Sequence, residues 1–260
     1  MRKEKKNVKV LAVIPARFGS TRFPGKPLSL IHGKSLIQHT YDNAVASPLL
    51  DGVIIATDDD RIYKHAQGFH ANVVMTDPNH PNGTERIAEV ISNLSERPDI
   101  VVNIQGDEPC ISPELIEALV MALVDNPDVP MSTVITPLTN LEDANNPSVV
   151  KCVINQKGRA LYFSRRCIPG GKSSTPASTT SYYSHIGLYA YRTDFLFTYL
   201  HLPPTPLQLA EDLEQLKVLE HGFHIQTAIV EHLSLGVDTP EDIHKVESYL
   251  CKQNKQNISL

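Results

Sequence analysis

The segment 15–27 (PARFGSTRFPGKP) follows an apolar run and places three cations, Arg17, Arg22 and Lys26, within ten residues. Gly19, Ser20, Thr21 and Gly25 are interleaved with them, and their small side chains leave backbone N–H groups accessible. Guanidinium, ammonium and amide donors gathered in one loop can wrap a polyphosphate. A solvated basic loop is the alternative, but a loop leaving the carboxyl end of a strand in an α/β sheet faces the ligand crevice. The pattern is not a P-loop. Gly19 and Gly25 enclose five residues where that motif has four, and Lys26 is followed by Pro27 instead of Ser or Thr. A GxGxxG dinucleotide fingerprint is absent as well.

Further groups of this kind stand at the ends of apolar runs. In 105–109 (QGDEP) two adjacent acids follow a glycine, a pattern suited to a hard cation such as Mg2+. Successive residues point apart, so one acid faces the site, and Asp107 is the choice over Glu108; an acidic turn before the helix start at Ser112 is the alternative. Asp238 in 236–242 (GVDTPED) lies just before a helix start and offers a second carboxylate to the same ion. In 82–86 (NGTER) a helix start exposes N–H groups that can meet acceptor atoms, including those of a nucleobase edge. Asn82 as a plain cap explains part of that pattern. The acids Asp58, Asp59 and Asp60 read mainly as a helix-start charge bias.

A last group lies in the middle of the chain. Arg165 ends one strand-like run, and His185 and Tyr189 share a face of another. Glu211, Glu214 and Gln215 share a face if 206–221 is one helix. Arg165 and His185 can hold an anionic group and the helix face can hold hydroxyls, a sugar-like pocket; a surface or satisfied-core origin is the alternative. His221 and His224 form an HxxH interrupted by Gly222, a poor metal site.

These residues need a scaffold that brings loop ends together. Runs 8–14, 52–57, 71–75 and 99–104 are apolar and rich in β-branched residues, as strands buried on both faces should be. Helix starts separate them. Ser35 with Gln38 and Asn82 with Glu85 fit capping boxes. Ser112, Thr205 and Thr239 each precede a proline at the first helical position, and Gln208 and Asp242 can reach back to free N–H groups. Repeated strand–helix units predict an α/β fold with a mostly parallel, mixed sheet flanked by helices. Runs 129–135, 149–154, 160–163 and 182–191 lack long helices between them and predict mixed or antiparallel pairing. The Gly/Ser/Thr-rich stretch 170–181 reads as a loop or lid. The organisation expected is one domain over 1–260, with a nucleotide-binding core at about 8–125 and 223–252 and a smaller β-rich subregion at about 129–221.

Composition narrows the classes. The 260 residues are 41% hydrophobic and 20% charged, with a net charge of −5. Such a chain buries enough surface to fold without disulfide or metal staples. Mild acidity argues against nucleic-acid or anionic-membrane partners, which require a basic face. Four cysteines (Cys110, Cys152, Cys167, Cys251) form no CxxC and read as reduced thiols. No apolar run approaches the ~20 residues of a membrane span. The basic start precedes only five apolar residues before Pro15, too few for a signal segment, so a cytoplasmic location is expected.

The stretches IPARFGSTRFPGKPL, ATDD, NGTERIAEV, VNIQGDEP, ALYFSR, HIGLYAYR, LEQLKVLEHG and GVDTPEDI, in this order over nearly the whole chain, resemble the 3-deoxy-manno-octulosonate cytidylyltransferases. The resemblance implies a nucleotide-diphospho-sugar transferase-like fold whose smaller subregion binds sugar and dimerises. It implies activation of 3-deoxy-D-manno-octulosonate (Kdo) by CTP with Mg2+ to give CMP-Kdo and pyrophosphate, for bacterial lipopolysaccharide, by a homodimer. Residue by residue it assigns Ala16, Arg17, Gly19, Ser20, Thr21, Arg22, Lys26, Gly83, Thr84, Arg86 and Gln105 to CTP. It assigns Asp107 and Asp238 to Mg2+, and Arg165, His185, Tyr189, Glu211, Glu214 and Gln215 to Kdo. Arg17, Lys26, Asp107 and Asp238 would carry catalysis. The chain departs from the family pattern at Asn82, where Ser is common, and at Arg166 and Gly170, where a small residue and an aromatic are usual. A cytidylyltransferase for another acidic sugar, or a non-catalytic nucleotide-sugar-binding regulator, would share many of these features.

Overall fold

The computed structural model describes residues 8–19, 23–170, 181–231 and 235–257. The described residues form two compact units, one built from 9–116 and 235–257 and the other from 117–231. They are called the parallel and the mixed unit below.

The parallel unit begins with β1 (Val10–Ala16), the short antiparallel pair β2 (Leu30–Ile31) and β3 (Lys34–Ser35), and α1 (Leu36–Val45). It continues through β4 (Gly52–Thr57), α2 (Asp60–Gly68), β5 (Val73–Met75), α3 (Gly83–Ser92) and β6 (Ile100–Asn103). α4 (Pro113–Val124) follows, and its residues from Glu117 onward, which the sequence grouped with the nucleotide-binding core, belong to the mixed unit. β1 lies between β4 and β6, with β5 outside β4, and each of these pairs is parallel. The registers set Ile14 against Ile55 and Ala12 against Val102, and all four are buried. Strands of this kind need apolar residues on both faces, which is why their sequences are continuous apolar runs instead of alternating ones.

The expected helix starts are present. Ser35 Oγ accepts from Gln38 N at 3.3 Å, Asn82 Oδ1 from Glu85 N at 2.9 Å and Ser112 Oγ from Leu115 N at 3.3 Å. Each satisfies an N–H that the first helical turn leaves without an intrahelical partner.

The mixed unit contains β7 (Met131–Pro137), α5 (Leu141–Asn145), β8 (Lys151–Ile154), β9 (Ala160–Ser164) and β10 (Tyr183–Arg192). α6 (Thr193–His201), α7 (Pro206–Glu211), α8 (Leu216–Glu220) and β11 (Ile225–Ile229) complete it. β7 pairs antiparallel with β10 and parallel with β11, and β8 pairs antiparallel with both β10 and β9. Residues 225–229, grouped by the sequence with the nucleotide-binding core, therefore pair with β7 in this unit.

The helix expected over 206–221 is broken. α7 ends at Glu211, and Asp212 adopts a left-handed conformation (φ 53°, ψ 52°) before α8 starts at Leu216. Such a residue ends a helix, and Asp tolerates the conformation better than most L residues. Glu211, Glu214 and Gln215 therefore do not share one helix face.

The last helix, α9 (Pro240–Asn257), returns to the parallel unit. Ile243, Val246, Tyr249 and Leu250 recur at helical spacing and pack with Ile31, Leu36, Cys110 and Val237. Asp242 Oδ2 accepts from the backbone N–H groups of Asp238 and Thr239 at 3.1 and 3.0 Å, the reach-back read from the sequence. Among the described residues no helix is long and apolar enough to cross a membrane.

Candidate functional site

In the parallel unit the strand order reverses at β1, whose two neighbours lie on opposite sides. The carboxyl ends of adjacent strands at such a point open a crevice. The loop after β1 and the loop after β6 meet there. Gly106 suits this close approach, because a Cβ would crowd the Pro15 carbonyl oxygen at 3.1 Å and Ile37 Cδ1 at 3.3 Å. The second loop can therefore settle against the end of β1.

The loop after β1 is closed at its neck. Gly25 N donates to Phe18 O at 3.0 Å, with Gly25 at φ 72°, a conformation that favours glycine. A Cβ at Gly25 would meet the Phe18 ring at 3.0 Å. On the ring's centroid, at 3.3 Å, sits the Arg61 guanidinium carbon, itself held by Asp59. Within this loop Arg17 and Gly19 are exposed and Ala16 is buried. Ser20, Thr21 and Arg22 lie outside the described residues.

Lys26 extends from the end of this loop. Its Nζ lies 2.5 Å from Asp107 Oδ2, donates to Val237 O at 2.8 Å and stands 3.8 Å from Asp238 Oδ1. Asp238 is brought there by backbone pairing, since Val237 N donates to Asp107 O at 2.9 Å. The packing of α9 on Val237 holds that segment in place. Asp107, Glu108, Asp238 and Asp242 border a cleft of about 290 Å3.

Whether a divalent cation suits this place depends on the donors. Mg2+ keeps several waters and is held by one or two carboxylates together with substrate phosphates, not by an all-protein cage. Asp107 and Asp238 supply two partly exposed carboxylates directed at one cationic group. Among the described residues no cluster of three or more His, Cys, Asp and Glu is arranged to hold a metal. The donor set fits an ion completed by phosphate oxygens.

The start of α3 provides the other wall. Gly83 lies close to Pro15, whose Cγ would be 3.1 Å from a Cβ. Thr84 is buried, and Gln105 Nε2 donates to Asn103 Oδ1 at 3.1 Å. Arg86 turns inward instead of toward a ligand. It is 3% exposed, donates to Asp58 Oδ2 at 2.7 Å and bonds Thr76 Oγ1. Arg86 and Asp58 therefore tie α3 to the ends of β4 and β5.

The candidate sugar residues belong to the mixed unit. Glu211 accepts from Ser164 Oγ at 2.6 Å and from Arg165 N at 2.9 Å. Burial alone would raise the Glu211 carboxyl, but these hydrogen bonds and the Arg165 charge outweigh it and hold it below the usual range. The Arg165 guanidinium donates to the Glu211 and Asp212 carbonyls at 2.8 and 3.1 Å and remains partly exposed. Glu214 accepts from Tyr199 Oη at 3.0 Å. Gln215 is 3% exposed, and among the described residues nothing accepts from its Nε2.

His185 and Tyr189 do lie together, with ring centroids 5.5 Å apart, although β10 shifts register between Ile186 and Tyr189. The His185 ring also packs edge-on against Phe163 at 4.9 Å, and its Nε2 lies 2.8 Å from Thr133 Oγ1. Burial pushes its pKa down to about 3, so near neutrality the imidazole is uncharged. It donates or accepts a hydrogen bond but supplies no positive charge, contrary to the expected pairing of Arg165 and His185 on an anion.

Sequence reasoning missed two anchors. Phe18, with Arg61 stacked on it, closes the loop after β1; the signal was an aromatic inside an otherwise small and basic segment. Lys151 lies inside the run 149–154 and is fully buried; a lysine in such a run was the signal. All four cysteines are free.

The cytidylyltransferase family pattern matches residues 11–229. The chain is 54% identical over 247 residues, 94% of it and 95% of the relative, to a 3-deoxy-manno-octulosonate cytidylyltransferase of Protochlamydia amoebophila. A solved structure of CMP:2-keto-3-deoxy-manno-octonic acid synthetase complexed with CTP superposes with a TM-score of 0.88 at 40% identity, covering 94% of this chain and 99% of that one. A 4-diphosphocytidyl-2C-methyl-D-erythritol synthase of Anaerococcus prevotii superposes at 0.62 with 16% identity, covering 95% and 97%, and shares the fold. On the extent of these matches, the chain belongs to the 3-deoxy-manno-octulosonate cytidylyltransferase family.

Proposed function

We propose that this protein transfers CMP from CTP to Kdo, giving CMP-Kdo and pyrophosphate, as a step toward bacterial lipopolysaccharide. The observation that carries the reading is the Lys26 ammonium set between the Asp107 and Asp238 carboxylates where the loops after β1 and β6 meet. That arrangement suits a triphosphate that arrives with a divalent cation.

In the reaction the Kdo C2 hydroxyl oxygen forms a bond to the α-phosphorus. The bond from that phosphorus to the bridging oxygen breaks, pyrophosphate leaves, and the hydroxyl proton is released. Negative charge grows on the leaving oxygens, so fixed cations there lower the barrier. Arg17 is exposed on the loop after β1, where it would meet the pyrophosphate half. Lys26 is held by two carboxylates and a carbonyl and is aimed at the α-phosphate side. Gly83, Thr84 and Gln105 would border the nucleoside, and Arg86, through Asp58 and Thr76, anchors the helix that carries Gly83 and Thr84. Asp107 and Asp238 would hold Mg2+, which when bound neutralises phosphate charge and lowers the pKa of a coordinated hydroxyl. In the mixed unit Arg165 would meet the sugar carboxylate, and the Gln215 amide, Glu211, Glu214, His185 and Tyr189 its hydroxyls.

A homodimer in the cytoplasm completes the proposal, on the family resemblance. The test is pyrophosphate release from CTP with Mg2+, with and without Kdo, with ATP, GTP and UTP as controls. Release that needs both CTP and Kdo supports the proposal. Release with a sialic acid but not Kdo would move the substrate to another acidic sugar. Binding of CTP without turnover on either sugar would leave a regulator.

A further inference from the structure

Lys151 in β8 is 0% exposed, yet it carries a charge. Its ammonium donates to the carbonyl oxygens of Arg165 at 2.6 Å, Val149 at 2.7 Å and Asn146 at 2.9 Å. Three carbonyls use all its N–H groups but do not neutralise it. Among the described residues no carboxylate forms an ion pair with it. A buried, unneutralised charge opposes folding, and an apolar residue of the same length would avoid that cost.

The surroundings give the charge a purpose. The strand registers set Lys151 against Ser164 on β9 and Ser184 on β10. Those serines are the chain neighbours of Arg165 and His185. The charged and titratable groups acting on Lys151 are Cys167, Glu211, Arg165 and Arg166. Glu211, the sole carboxylate among them, is already engaged by Ser164 and the Arg165 N–H. His185 is neutral. The Asp212 carboxylate also lies 3.8 Å from the Arg165 guanidinium, so Arg165, Arg166 and Lys151 stand against Glu211 and Asp212; the balance is positive, and Lys151 is its innermost contributor.

We infer that Lys151 is a positioning and specificity-determining residue for an anionic sugar: it fixes the Arg165 backbone and supplies buried positive charge that selects a carboxylate. The inference rests on the proposed reading of the mixed unit as the sugar-acid site. It leaves Arg165 as the contact and makes Lys151 act through that contact and through its field.

The experiment compares the sugar acid with its carboxamide, alike in shape but uncharged, using calorimetric Kd and steady-state KM for each and KM for CTP. In the variant K151M the preference for acid over amide should fall about 10- to 100-fold, as expected for loss of a desolvated charge near an anion. Loosening of the fold alone would weaken both sugars alike, so the ratio separates charge from structure. The charge-retaining K151R should keep most of the preference. Should K151M not fold, the wild-type protein serves, because burial lowers the Lys151 pKa. Binding of the acid should then weaken at alkaline pH while binding of the amide does not. An unchanged acid-to-amide ratio in K151M, or acid and amide that track together with pH, overturns the inference. Because binding is read apart from turnover, a protein that prefers the acid but releases no pyrophosphate sinks the catalytic proposal without touching this one.

Discussion

In the parallel unit the reactive groups stand on loop ends and meet water. Lys26, Asp107 and Asp238 are ionic, and they are aligned by backbone contacts such as Val237 N to Asp107 O. In the mixed unit the groups stand on strands and short helices; Gln215 is buried, Arg165, His185, Tyr189 and Glu211 are half-buried, and Glu214 is exposed. The row Phe163, His185 and Tyr189, proposed to face the sugar, is aromatic and neutral, and the charges there, Arg165 and Glu211, are spent partly on each other's backbone. A site for a triphosphate must exchange ions with solvent, so it tolerates exposure and screening. A site for a polyhydroxylated acid must discriminate, and buried polar groups that go unpaired with the wrong ligand do that best. The orphan Gln215 amide has the character of such a group.

The largest effect should come from the ionic side. Asp107→Ala removes the carboxylate nearest Lys26 and one of the two cation donors. Turnover should fall by about 10²–10³, or roughly 3–4 kcal/mol, with little change in thermal stability, because the group lies at the end of a loop. Turnover within about threefold of wild type would mean that Asp107 only pairs with Lys26, and the contrast between an ionic and a neutral half would lose its functional content.

The two units also differ in how far their sequences disclose them. The run 52–57 reads as a buried strand because Val53, Ile54, Ile55 and Ala56 must be apolar on both faces, and β4 covers those residues. Helix starts are legible for a local reason, since a cap and its N–H lie within three residues. The Lys26 and Asp107 loops could be found because glycines and cations cluster there. What escaped was set by distant partners. The segment 206–221 has helical spacing throughout, and nothing local announces the left-handed Asp212. The break coincides with Glu211 reaching back to Ser164 and Arg165, 47 and 46 residues away in the chain. Arg86 reads as a free cation until Asp58 and Thr76 are seen to hold it. His185 reads as a partner for an anion until burial removes its charge.

A smaller effect is expected on the sugar side. Arg165→Ala should raise KM for Kdo about 10- to 100-fold, in keeping with about 1.5–3 kcal/mol for a hydrogen bond to a charged group, and leave KM for CTP within about twofold. A defect confined to CTP would place Arg165 in the nucleotide half and merge the two regions that the comparison separates.

The effect that is smallest per pH unit, and the one that separates the units without any substrate, is in acid stability. His185 is uncharged in the folded chain down to about pH 3, whereas in the unfolded chain it takes up a proton below about 6.5. Between those values the unfolded state binds more protons, so stability is full above pH 6.5 and falls by about 1.4 kcal/mol per pH unit as the solution is acidified. Asp242 in the parallel unit behaves differently. The Lys245 hydrogen bond lowers its pKa to about 2, so its contribution is full above its ordinary value of 3.8 and is lost as pH falls through about 2. The mixed unit should therefore loosen first. His185→Gln lowers stability near neutrality by removing the ring from between Phe163 and Tyr189, but it also removes the acid slope. Urea unfolding followed by circular dichroism at pH 7, 5.5 and 4 should show wild type and variant converging as the pH falls. Parallel curves would mean that His185 is charged in the folded protein, and the neutrality of the sugar side, on which its contrast with the ionic side depends, would be wrong.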